Sequence, residues 1–137
     1  WYGLQCLQGH PGVPKVVLQA GSASWPFLDA ALDDGVCATH FSYVWEGGDV
    51  QYVSPGRMAL PEMHVWLALP YSEEVIDFST SYLPTACKTV LGKEWSAPLP
   101  PPYLWKLARN MPEGIQYAPD VEAIKLVLRI LRSQCRA

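Results

Sequence analysis

The stretch LPEMHVWLALPYSEEVIDFST, Leu60 to Thr80, decides how this chain is read. Side chains alternate faces along a strand, so His64 and Trp66 share one face while Val65 and Leu67 take the other. Two runs of strand character, about Met63 to Leu69 and Glu74 to Ser79, are joined through Pro70 to Glu73. An even-numbered loop of this kind sets Leu69 opposite Glu74, Trp66 opposite Asp77 and His64 opposite Ser79. His64, Trp66, Asp77 and Ser79 then share a face. His64 and Asp77 become diagonal neighbours with β-carbons roughly 7 Å apart, close enough for long side chains to meet. An odd loop would reverse the parity and separate them.

A carboxylate beside an imidazole fixes which ring nitrogen carries the proton and stabilises the imidazolium formed when histidine takes a proton from a nucleophile. Flanked by Val75, Ile76 and Phe78, Asp77 is expected to be desolvated, and a desolvated carboxylate needs a partner. The competing reading makes Asp77 a turn cap or a solvated residue and His64 an ordinary half-buried strand residue.

Around this hairpin the chain reads as one domain, residues 1–137. WYGLQCLQGHPG has the spacing of the last turns of a helix stopped by Gly9 and Pro11. A valine-rich strand is expected from about Lys15 to Ala20, and PFLDAALDDG as a helical turn or ordered loop. In THFSYVWEGGDVQYVSPG, Phe41, Tyr43 and Trp45 alternate up to Gly47 and Gly48, and Val50 and Tyr52 resume the alternation, which predicts a hairpin. After Leu83 the periodicity fades. The prolines of GKEWSAPLPPPYLW favour an extended strap packed by Trp95, Tyr103 and Trp105, or else a docking motif for a proline-recognising domain. Residues 120–134 form an amphipathic helix with Val121, Ile124, Val127, Leu128 and Leu131 on its apolar stripe and Glu122, Lys125, Arg129 and Arg132 on its wet side. The expected fold is α+β: a mostly antiparallel sheet of about five strands with flanking helices.

Composition narrows the function classes. Of 137 residues 50% are hydrophobic and 17% charged, the balance of a packed globule. A net charge of -3 without a basic run argues against nucleic-acid binding. No run approaches the ~18 apolar residues that span a bilayer, and no signal peptide is visible, so a cytoplasmic protein without a membrane partner is expected. Cys6, Cys37, Cys87 and Cys135 lack the close spacings of zinc or redox motifs; they are compatible with two disulfides, but in a domain this rich in apolar residues reduced thiols are the expectation. His10, His40 and His64 are too scattered for a metal site, and no cofactor is implied.

Histidine, one residue, tryptophan, then a strand ending in Ile-Asp resembles the second half of the active site in transglutaminase-like cysteine enzymes. That superfamily is similar in fold to papain and includes arylamine N-acetyltransferases and lasso peptide leader peptidases. The resemblance rests on MHVWLAL and EEVIDFST, supported by VPKVVLQAGSASW, and covers about Val13 to Thr80. It implies a papain-like core, a Cys-His-Asp triad, His64 as base, Asp77 as its orienter, and a peptide, amide or other acyl substrate. Trp66 would wall the site against water or simply pack the core.

The resemblance also requires a cysteine at the N-terminus of a buried helix, where free amides and the helix dipole favour the thiolate. Cys37 in DGVCATHF has a glycine two residues ahead of it, but strand-like residues come after it. Cys6 lies near the wrong end of its helix. Counting the expected helix back from Val13 places the nucleophile ahead of Trp1, in keeping with a chain that starts without methionine and is expected to lack its natural N-terminus. Three functions fit: a cysteine-dependent peptidase, amidase or acyltransferase; a non-catalytic interaction module of the same fold; and a small-molecule carrier, which no residue pattern supports.

Overall fold

The structure is a computed structural model and describes residues 11–12, 15–27, 40–45 and 63–135. The elements in chain order are β1 (Val17–Pro26), β2 (His40–Tyr43), β3 (His64–Leu69), β4 (Glu74–Asp77), α1 (Leu83–Leu91), β5 (Leu104–Leu107), β6 (Gln116–Pro119) and α2 (Val121–Gln134). The protein is α+β. The six strands among the described residues form one sheet in the order β2-β1-β3-β4-β5, with β6 added to β1, and each of these pairings is antiparallel.

The decisive hairpin has the expected parity. Leu69 pairs with Glu74, Ala68 with Val75 and Leu67 with Ile76 around the loop Pro70 to Glu73. Because side chains alternate, Leu67, Leu69 and Ile76 enter one core cluster, and Trp66 and Val75 enter another on the opposite face. The first cluster is closed by Ala123, Leu126 and Val127 of α2, the second by Leu83 and Cys87 of α1. The helices therefore cover opposite faces of the sheet.

β1 runs further than its valine-rich start predicts, through GSASW to Pro26. That segment has no strong strand propensity, and pairing supplies the reason: Gly21 to Ser24 bond β6, and Ala23 to Pro26 bond β2. Leu18 and Ala20 pack into the first cluster, whereas Trp25 packs into the second. The buried side of the strand thus changes between Ala20 and Ala23.

Several expectations need correction. α1 was not expected, although Pro84 in its first turn and Gly92 as a left-handed C-cap, with φ 66°, are ordinary helix punctuation. β5 and β6 were not expected either. Trp105 belongs to β5, not to a strap, and its indole Nε1–H donates to Glu74 Oε1 at 3.1 Å. Tyr103 is exposed. Trp95 does pack, against Phe27, while the amides of Ser96 and Ala97 both donate to Phe27 O. Trp45 lies beyond β2 and joins the first cluster, whereas Phe41 and Tyr43 serve the second.

In α2, Val121 is 63% exposed; the buried residues are Ala123, Leu126 and Val127, with Ile124, Leu128 and Leu131 partly buried. Asp120 caps the helix, its carboxylate accepting from the amides of Glu122 and Ala123. A cap contributes about 1 kcal/mol, whereas each buried Leu or Val contributes roughly 1.5 to 3 kcal/mol, so docking fixes the face that turns inward. The second half of the hairpin expected at Gly47 to Tyr52, the helix at residues 1–10 and the segment at 28–35 lie outside the described residues. Among the described residues no helix is long and apolar enough to cross a membrane.

Candidate functional site

His64 opens β3 and Asp77 closes β4, so both stand at the same end of one hairpin. Both are buried, 7% and 1% exposed. His64 Nε2 lies 2.6 Å from Asp77 Oδ2. The pair proposed from strand parity is thus a direct hydrogen bond.

Asp77 accepts three further hydrogen bonds, from two residues. Tyr117 donates its hydroxyl to Oδ2 at 2.7 Å, and Ser79 donates its amide and its hydroxyl to Oδ1 at 2.8 and 2.6 Å. An ionised carboxylate offers about four lone-pair positions, and here each receives a donor. Burial pushes the Asp77 carboxyl up, but the hydrogen bond and charge of His64, with the bonds from Ser79 and Tyr117, outweigh it and leave the group below its ordinary value. Because the carboxylate only accepts, Nε2 of His64 carries the proton. In the neutral ring Nδ1 is therefore the bare nitrogen, the one able to take a proton. Among the described residues no side chain bonds Nδ1.

Aromatic rings hold the imidazole from its sides. Tyr43 stacks on it with centroids 5.0 Å apart and planes 20° apart; Trp66 lies 6.1 Å away at 21°. Burial first, and then the charge of Asp77, push the Tyr43 phenol up, so it stays neutral. Tyr117 meets Trp66 edge-on at 5.1 Å and receives a hydrogen bond from Trp25 Nε1 at 3.2 Å. A cleft of about 330 Å³ lies against Tyr117, between Val75 on β4 and Met111 and Ile115 in the segment leading to β6.

The sequence reading missed Tyr43 as a neighbour of the imidazole and missed Tyr117 altogether. Tyr117 sits on a four-residue strand 40 positions from Asp77, and GIQYAPD carries no chemical motif that would mark it. The expected sequestering of Asp77 by Phe78 is wrong: Phe78 is 45% exposed and leans on Tyr103. Asp77 is enclosed instead by the face it shares with Trp66 and Tyr117. Trp66 is buried in the second cluster and its ring also lies beside the imidazole.

Cys37 and Cys6, the two thiols weighed as nucleophile within the chain, lie outside the described residues. Cys87 is free but fully buried on α1, where burial pushes its thiol up. Cys135 is free and exposed at the end of α2. His40 opens β2. Among the described residues no three His, Cys, Asp or Glu side chains gather in a way that could hold a metal ion.

No family model, curated protein or solved structure matches this chain.

Proposed function

We propose that the chain is a transglutaminase-like, cysteine-dependent acyl-transfer enzyme, a peptidase, amidase or acyltransferase of the cytoplasm. His64 is its base and Asp77 the residue that orients it. The observation that carries the reading is the buried His64–Asp77 bond, formed through Nε2, with no side chain among the described residues bonded to Nδ1. In the proposed reaction Nδ1 takes the thiol proton and the thiolate attacks the acyl carbon. The imidazolium then returns its proton to the departing amine, alcohol or thiol. The resulting thioester is resolved by water or by an acceptor amine, with His64 again acting as base. Asp77 stabilises the imidazolium at both stages, and Tyr43 and Trp66 limit the water around it. The nucleophile is Cys37, Cys6 or a cysteine ahead of Trp1.

The test is the rate at which each thiol of the full natural open reading frame reacts with iodoacetamide near neutral pH, mapped peptide by peptide. Exposed Cys135 serves as the reference for an unactivated thiol. One thiol should react faster than Cys135 and slow to the reference rate in His64→Ala. Equal rates for all accessible thiols, unchanged by His64→Ala, would overturn the reading. They would favour the second one, an interaction module in which the same network is structural. What favours that alternative is the complete use of the Asp77 acceptors within the fold.

A further inference from the structure

The hydrogen bonds around Asp77 have a direction that one residue imposes. An indole N–H can only donate, so the bond from Trp25 Nε1 occupies a lone pair of the Tyr117 hydroxyl. That hydroxyl has one proton, and Asp77 Oδ2 lies 2.7 Å from it. Oδ2 therefore faces two donors, Tyr117 from β6 and His64 from β3, while Ser79 fills Oδ1 from the chain just beyond β4. Were the Tyr117 proton turned away from Asp77, Oδ2 would be free to hold a proton of its own and could donate it to Nε2. His64 would then carry its proton on Nδ1 and lose its capacity as a base.

We propose that Tyr117, aimed by Trp25, is a positioning residue that keeps Asp77 acceptor-only and so locks His64 in the tautomer with Nδ1 bare. This deepens the acyl-transfer reading and rests on it for its catalytic consequence, but the lock is a property of the folded chain that can be read without turnover. The geometry also explains why a phenol stands here. Tyr117 spans Trp25 and Asp77, groups on β1 and β4 that are not bonded to each other, and its ring fills the space beside Trp66 with an edge-on contact. A phenylalanine keeps that contact and removes only the hydroxyl. Among the described residues, the ionisable groups that face Asp77 are His64 on β3, Tyr43 on β2 and Tyr117 itself; β5 presents Leu104 opposite it. Of these, the two tyrosines remain neutral, so the ionisation of Asp77 depends on donors and on His64.

The experiment compares the full chain with Tyr117→Phe and Trp25→Phe by 15N NMR of the histidine side chains near neutral pH and by the titration of the Asp77 side-chain carbon. In the unaltered protein His64 should show the Nε2-protonated pattern. Tyr117→Phe should move Asp77 titration upward and mix in the Nδ1-protonated form, and Trp25→Phe should do the same to a smaller extent. A merely structural role would lower the melting temperature and move neither signal; unchanged tautomer and titration in a folded Tyr117→Phe protein would overturn the proposal. Iodoacetamide rates read the consequence separately. If a thiol depends on His64, Tyr117→Phe should forfeit part of the roughly 10²- to 10⁴-fold that a positioned base contributes. If no thiol depends on His64 while the NMR signals still move, the lock stands and only the enzymatic reading fails.

Discussion

Gly21 and His64 are partners across the β1–β3 ladder, and Gly21 is also the partner of Pro119 across the β1–β6 ladder. The strand bearing the imidazole and the strand bearing Tyr117 therefore meet at the one position of β1 without a side chain. A β-carbon there would run into the Ala118 carbonyl oxygen and come within 2.9 Å of the Asp120 amide. Both are backbone atoms, the first within β6 and the second just past it with its N–H bonded to Ala20 O, so they cannot swing away.

Gly21→Ala is therefore expected to displace β6 and to destabilise the protein by about 1 to 3 kcal/mol, the cost of forcing extra atoms into a filled site. Thermal unfolding would show a fall of several degrees, accompanied by loss of the Tyr117 contact. Ser24→Ala, on the same strand as Gly21, removes an exposed bond to Ser42 of β2 and should stay within about 0.5 kcal/mol of the parent. Equal effects from the two substitutions would contradict this account of Gly21.

The depressed Asp77 carboxyl has a pH consequence whose sign follows from linkage. A carboxyl that is more acidic folded than unfolded contributes stability in full above its unfolded value, near 3.8. That contribution fades as pH falls through the lower folded value. Denaturant midpoints measured from pH 6 down to pH 2 should fall through this acid window and should do so less in Asp77→Asn.

At neutral pH the same Asp77→Asn protein should be less stable by about 1 to 3 kcal/mol. All four bonds into residue 77 come from donors, and an amide NH2 would face two of them. A neutral-pH stability within error of the parent would mean that the network is not formed in solution.

Thiol chemistry separates the two described cysteines. Cys87 has no exposed surface and a thiol raised by burial, whereas Cys135 is open to solvent. Mass mapping after brief alkylation of the folded protein should find Cys135 modified and Cys87 protected, with Cys87 reacting only once the chain is unfolded. Early labelling of Cys87 would show that α1 opens readily from the second cluster.

Asp120→Ala removes the side-chain acceptor for two amides at the start of α2. A loss of about 0.5 to 2 kcal/mol is expected in chemical denaturation. Since the helix is held chiefly by Leu126, Val127 and Ala123 against the sheet, its circular dichroism should persist.

The hairpin was legible because its logic is local: strand side chains repeat every two residues, and an even loop fixes parity, so His64 and Asp77 had to share a face if both strands formed. The helix at the end of the chain was legible for the same kind of reason, an apolar repeat after an aspartate cap. Its inward face was less so, because Val121 fits the repeat but lies beyond the surface that α2 covers. β5 and β6 are four residues each and take strand geometry from the partners they bond, which propensity does not record. Tyr117 is the clearest case. Its bonds reach Asp77 across 40 residues and Trp25 across 92, separations at which no sequence periodicity operates. The sequence by itself determined which imidazole and which carboxylate could meet. Only the tertiary structure decided that a phenol from a third strand and an indole from a fourth would fix the charge and direction of that meeting, because hydrogen-bond direction depends on donors that the fold alone brings together.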